Sequence, residues 1–129
     1  MKELSCKPIG YIHSPYKTKE ETPKSGNEYP EQEAVMEIQE EYAEGIADME
    51  VGKSYAVLFW FDRSTEVKMT VPYRGVGPMT GIFSTHAPYR PNPIGLSIIK
   101  VTKIEGTCIH FTGVDMMDNT PVLDVKPVD

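Results

Sequence analysis

The hydrophobic and polar positions of this chain alternate far more often than they recur at helical spacing. Ile9, Tyr11 and His13 begin a short period-two run that Ser14-Pro15 stops. Met36 and Ile38 alternate with Glu37 and Gln39, which predicts a half-exposed strand over 34–39. Tyr42, Ile46 and Met49 have the spacing of one face of a helix, and Gly45 limits it to two turns or fewer. After Gly52, the run Tyr55-Ala56-Val57-Leu58-Phe59-Trp60-Phe61 is apolar at every position. Such a strand is either central or covered by a partner subunit. Val67, Met69 and Val71 predict a further one-sided strand, ended by Pro72, with a flexible link over 74–78. Ile82 and Phe83 begin another strand. Residues 96–104 follow, with Ile99 and Val101 on one face. Gly106 makes a hairpin turn, and 107–112 returns with Ile109 and Phe111 inward and His110 and Thr112 outward.

Seven or eight short strands with little helix define an all-β class. A small closed or nearly closed β-barrel is the arrangement that removes exposed strand edges. No βαβ alternation appears, and Gly75 and Gly77 lack the third glycine and following helix of a dinucleotide fingerprint. A doubly wound, Rossmann-type fold is therefore excluded. At 129 residues the chain is expected to be a single domain over 1–129 with no additional carboxyl-terminal domain.

Composition changes this picture little, and charge changes it more. The net charge is −6, yet residues 20–50 hold eleven acids against one base, Lys24. That block carries −10 and the rest of the chain +4. A solubilising surface is the favoured reading of the block. The start lacks a signal-peptide apolar core, and no run is long enough to span a bilayer, so a cytoplasmic protein with no membrane partner is expected. Cys6 and Cys108 form no Cys-x-x-Cys pair and the three histidines have no ligand spacing, so reduced thiols and no metal are expected.

The candidate chemistry lies between the strands. In 81–97, Pro88, Pro91 and Pro93 each fix φ, and they push Ala87, Arg90 and Asn92 toward extended backbone. The stiffened loop presents His86, Tyr89, Arg90 and Asn92, and Gly95 then turns the chain into the next strand. The polar stretch 16–26 is a functional loop or a plain crossover. Asp62-Arg63-Ser64, at the end of the most buried strand, offers ligand contacts or a solvated turn. Asp115, Asp118 and Asp124 bracket the turn-forming Asp118-Asn119-Thr120-Pro121. They are surface acids, or carboxylates for a ribose diol, an ammonium or a moving proton.

Three stretches together, 9–16, 81–97 and 115–127, resemble the TsaA-like family over nearly the whole chain. Arg90-Pro91-Asn92-Pro93-Ile94-Gly95 and Asp118 through Pro127 carry most of the resemblance. It implies a small non-Rossmann β-barrel that binds S-adenosyl-L-methionine, and a homodimer with the cofactor near the subunit interface. The family reaction is methylation of N6 of threonylcarbamoyl-adenosine beside the tRNA anticodon. By that similarity the cofactor contacts are Pro23, Lys24, Ser25, Asp62, Arg63, His86, Leu96, Asp118, Asn119, Thr120 and Pro121. The family tends to have Arg at His86, Gly at Asn119 and Pro-Arg-Gln at 23–25. Arg90 and Asn92 suit the substrate's threonyl carboxylate and amide, and Asp115 or Asp124 the departing proton. Arg63, Lys68, Arg74 and Arg90 would form a basic strip for tRNA. A non-catalytic S-adenosylmethionine-binding module and a small-molecule methyltransferase are the alternatives.

Overall fold

The computed structural model describes residues 2–128. Eight strands form: β1 (Gly10–His13), β2 (Glu33–Ile38), β3 (Ser54–Trp60), β4 (Thr70–Pro72), β5 (Met79–Gly81), β6 (Ile94–Glu105), β7 (Cys108–Thr112) and β8 (Pro121–Pro127). Six of them close into an antiparallel ring in the order β1-β2-β7-β6-β3-β8. Because β8 pairs with both β3 and β1, no ring strand leaves a bare edge. β4 and β5 form a separate two-stranded hairpin.

Strand alternation fills the ring. Ile12, Met36, Val57, Ile99, Val101, Ile109, Phe111 and Val122 point inward and are buried, and Val114 and Met116 close the core from beyond β7. Residues 40–46 form a single short 3₁₀ segment that buries Ile46 against this core. The expected helix is thus present as a 3₁₀ segment that ends before Met49, and Tyr42 within it and Met49 beyond it pack against the core.

Four expectations need correction. The strand placed at 67–71 is limited to β4, since Val67 and Met69 lie outside it and are exposed. The link at 74–78 is the connection of the β4–β5 hairpin, with Arg74 at φ 53° and Gly75 at φ 83°. Ile82 and Phe83 belong to a 3₁₀ turn, where Ile82 is buried and Phe83 is 77% exposed. A turn can bury one of two adjacent apolar residues without a second sheet to receive the other. Gly95 lies within β6, opposite Phe59, and a Cβ there would fall 2.3 Å from the Phe59 ring. Its role is to make room for an aromatic side chain rather than to turn the chain.

β3 is paired on both sides, and its faces differ. Tyr55, Val57 and Phe59 are buried, whereas Ala56, Leu58 and Trp60 are only half covered. They stand opposite Ile98, Leu96 and Ile94, which are exposed. The ring therefore carries an apolar row on its outer wall. All eleven acids of the 20–50 stretch are exposed, as a solubilising surface requires.

Candidate functional site

Antiparallel alternation decides where the loops go. The carboxyl ends of β1, β3 and β7 and the amino ends of β2, β6 and β8 share one end of the ring. The connections 14–32, 61–93 and 113–120 all leave from that end. They contain every sequence-predicted site residue except Leu96, Pro121 and Asp124. The opposite end has the tight Gly106 turn and the 3₁₀ segment.

The bend 115–121 is stapled to the first connection. The Asp118 carboxylate accepts the Ser14 N–H at 3.0 Å and Lys17 Nζ at 2.7 Å. Lys17 foremost holds this carboxyl below the usual aspartate range. The backbone N–H groups of Asp118 and Asn119 donate to the carbonyls of Tyr16 and Ile12, each at 2.7 Å. Asn119 takes the left-handed conformation, φ 67°, which its residue type tolerates. Thr120 is buried, and its hydroxyl donates to the Met117 carbonyl. Pro121 opens β8 opposite Tyr11.

Arg63 and Ser64 link this bend to the proline loop. Arg63 Nη2 donates to the Asp118 carbonyl at 2.7 Å, and Ser64 Oγ to the Pro88 carbonyl at 3.1 Å. Arg90 folds back on its own loop, with Nη1 donating to the carbonyls of Thr85 at 2.8 Å and Ala87 at 3.2 Å. Three prolines leave these carbonyls few backbone donors, and the guanidinium fills that gap. Tyr89 lies between two lysines: Lys68 Nζ is 4.5 Å from its ring centroid, and Lys19 Nζ is 3.2 Å from its hydroxyl. Asp62 and Asn92 are exposed.

Asp115 joins the third connection to both the ring and the first connection. Its carboxylate accepts the Ser97 hydroxyl, and the Gly26 N–H and His86 lie near enough to favour its charged form. Burial pushes the carboxyl above the usual range, while those bonds and the histidine oppose the shift. Within the first connection Pro23 is buried, Lys24 Nζ donates to the Arg74 carbonyl at 3.2 Å, and Ser25 Oγ accepts the Asn27 N–H.

Two expected residues stand apart. Leu96 lies on the outer wall, 48% exposed, in register with Leu58. Asp124 follows Leu58 on the other side and is exposed, with Oδ1 accepting the Val125 N–H. Lys17, Lys19, Ser97 and Gly26 make contacts at the loop end that motif reading did not single out. Ser97 had a visible signal, as the lone hydroxyl in the inward row Gly95, Ser97, Ile99, Val101. A depression of about 510 Å³ beside the bend is lined by His13, Lys17, Gln32, His110 and Asp118 among others. Among the described residues no three of His, Cys, Asp or Glu gather as metal ligands, and no helix is long and apolar enough to cross a membrane. Cys6 and Cys108 are unpaired.

An antiparallel ring with its polar chemistry gathered on three loops at one end defines a β-protein whose site is built from loops, with no βα crossover. The chain belongs to the family described as the tRNA-methyltransferase O N-terminal domain, whose model matches residues 11–128. It is 35% identical over 131 residues to a mouse tRNA (adenine(37)-N6)-methyltransferase, covering 96% of this chain and 30% of that protein. It is 34% identical to an S-adenosyl-L-methionine-binding protein of Archaeoglobus fulgidus, covering 95% of this chain and 88% of that one. The crystal structure of TrmO from Pseudomonas aeruginosa superposes with a TM-score of 0.79 at 28% identity, over 99% of this chain and 57% of the other. The chain thus spans under a third of the mouse relative and nearly all of the archaeal one.

Proposed function

We propose that this chain is an S-adenosylmethionine-dependent methyltransferase acting on N6 of the adenosine beside the tRNA anticodon, in its threonylcarbamoyl form. The convergence of three connections on one end of the ring, tied together through Asp118, Arg63 and Asp115, is the observation that carries this reading. The residues present suit the cofactor's chemistry. Arg63 uses one terminal nitrogen on the Asp118 carbonyl, and the rest of its fork suits the methionyl carboxylate. Asp62 is exposed and suits the ammonium or the ribose diol. Lys24, Ser25, His86 and the bend 118–121 complete the rim, while buried Pro23 and Thr120 shape it.

When bound, S-adenosylmethionine supplies a methyl group on a positively charged sulfur. The chain's own work is alignment, exclusion of water and handling of one proton. The Nη1 bonds of Arg90 fix its plane, and its remaining N–H groups are assigned to the threonyl carboxylate. Asn92, exposed on the same stiff loop, is assigned to the carbamoyl amide. As the nitrogen gains a methyl it releases a proton, which we assign to Asp124, exposed on the same outer face as Leu96, where a second copy would bring it to the cofactor. The apolar outer row of Leu96, Ile94 and Ile98 against β3 is the face offered to a second copy, which would place Leu96 beside a cofactor near the subunit interface. Arg63, Lys68, Arg74 and Arg90 provide the basic strip for tRNA, so binding should weaken steeply with salt.

The name and length of the archaeal relative favour one second reading, a module that binds S-adenosylmethionine without transferring its methyl. Calorimetric titration with S-adenosylmethionine, followed by mass analysis of tRNA bearing threonylcarbamoyl-adenosine, separates the two. The expected result is binding and a methylated nucleoside. Arg90→Ala should lower turnover about tenfold or more with cofactor affinity within about threefold. Binding with no methylated product assigns the module; no binding overturns both readings.

A further inference from the structure

Beyond its root at Ser14 and Tyr16, which bond to the bend, the first connection is held at four further places, and they are not alike. Lys17 on Asp118, Lys19 on Tyr89 and Lys24 on the Arg74 carbonyl are exposed contacts. The fourth, at Gly26, is half-buried. A Cβ at Gly26 would lie 2.0 Å from the Gly113 carbonyl oxygen, so the two backbones meet without space for a side chain. Gly113 has φ 88°, a conformation that aims the chain toward Asp115. Asp115 then accepts the hydroxyl of Ser97, which is 5% exposed in the wall of β6, and its carboxylate lies beside the Gly26 N–H. One carboxylate therefore spans the ring, the first connection and the third. Shielded bonds to a charged acceptor outweigh exposed lysine contacts, which water and salt weaken.

We propose that Asp115 is a positioning residue: with Ser97 it clamps Gly26, and so holds the Pro23-Lys24-Ser25 segment over the loop end of the ring. Its consequence for cofactor affinity rests on the proposed function, whereas its consequence for the loop does not. Both carboxylate partners are supplied by the protein, so Asp115 acts through the loop and Asp124 remains the proton acceptor. Gly26 serves the same clamp from the other side, because only glycine permits the backbone contact.

Hydrogen exchange read by mass spectrometry on peptides spanning 17–30, with calorimetric titration of S-adenosylmethionine, tests this on the full chain. Asp115→Ala and Gly26→Ala should each speed exchange across 17–30 about tenfold, with peptides from β2 and β7 unchanged. Asp115→Asn keeps an acceptor for Gly26 and a donor for Ser97, so it should stay within about threefold of the wild type. The cofactor dissociation constant should follow the same order, rising about tenfold in the alanine variants only. Unchanged exchange in both alanine variants overturns the clamp, as does an asparagine variant as loose as the alanine one. If the protein binds no S-adenosylmethionine, the functional reading fails and the exchange data still decide the clamp. Should Asp115→Ala not fold, Ser97→Ala removes one bond alone. It should loosen the same peptides by a smaller factor, and no loosening overturns the proposal.

Discussion

The two ends of this ring are built from different forces. The wall and the closed end are held by apolar side chains that leave no exposed atoms, such as Phe111, Ile12, Val57 and Ile109. Above the apolar plug of Val114, Met116 and Tyr16, the open end is held by single hydrogen bonds and charge contacts: Asp118 to Ser14 and Lys17, Arg63 to Asp118, Arg90 to Thr85 and Ala87, Lys68 on Tyr89. Burial of apolar area is strong and undirected, whereas polar contacts are weak and directional. The difference teaches a division of labour. Closure of the sheet fixes the positions at which three loops emerge, and the polar contacts then decide how those loops face each other. A loop end built this way can admit ligands without loosening the core beneath it.

The largest effect should come from the wall. Phe111 has no exposed surface, stands one residue from the end of β7 and faces Ala34 and Val101 across its neighbours. Phe111→Ala should lower unfolding free energy by about 3–5 kcal/mol in a denaturant titration. That is a large part of the roughly 5–15 kcal/mol that holds a domain of this size together. A loss below about 1 kcal/mol would mean the wall carries no more than the loops, and the comparison would fail.

The ring was legible because strands announce themselves by alternation. Met36 and Ile38, Ile99 and Val101, Ile109 and Phe111 all face inward as their spacing requires. Its closure was an argument about edges, and the β8–β1 and β8–β3 pairings supply the closing contacts. Asn119 was readable too, since a residue that tolerates left-handed backbone stands where the family tends to place glycine. The hairpin of β4 and β5 was less so. Val67 and Met69 alternate like strand residues, yet no sheet partner reaches them, and alternation says nothing about partners. Gly95 was misread for a related reason: its neighbour Phe59 is 36 positions away in sequence and visible only through register. The loop contacts were the least readable part. Gly26 against Gly113, and Lys19 against Tyr89, depend on how two connections lie beside each other, and no periodicity within either encodes that.

A middle-sized effect sharpens the comparison within the open end, where two aspartates three residues apart titrate in opposite senses. Asp118 is held below the usual range, first by Lys17, so its contribution is present at neutral pH and lost as pH falls through its lowered folded value. Asp115 is raised, first by burial, so the folded chain binds its proton more tightly than the unfolded chain does. Stability then declines as pH rises between the ordinary aspartate value and the raised one, and the penalty persists at neutral pH. Asp118→Ala should cost about 1–2 kcal/mol at neutral pH, because it leaves the Ser14 N–H without its acceptor and Lys17 without its partner. The deficit should shrink in acid. Asp115→Asn should be neutral or stabilising at neutral pH and lose its advantage in acid. Unfolding titrations of the two variants across the acidic range check both signs, and parallel curves would contradict the assignment.

The smallest effect is the most diagnostic of how the open end works. Lys19 and Lys68 share the Tyr89 ring, and the pair bridges the first connection to the proline loop entirely on the surface. Exposed cation–aromatic contacts are worth about 0.5–1 kcal/mol, and the long lysine side chains lose rotamer freedom in making them. Lys19→Ala should therefore change global stability by less than about 0.5 kcal/mol. Its effect should appear instead as faster amide exchange in the loop around Lys19, with the β3 and β6 peptides unaffected. The same local loosening should appear in the wild type at high salt, because screening weakens the contact just as truncation does. If Lys19→Ala lowered global stability as much as Asp118→Ala does, the loops would be part of the cooperative core, and the two ends of the ring would not differ in kind.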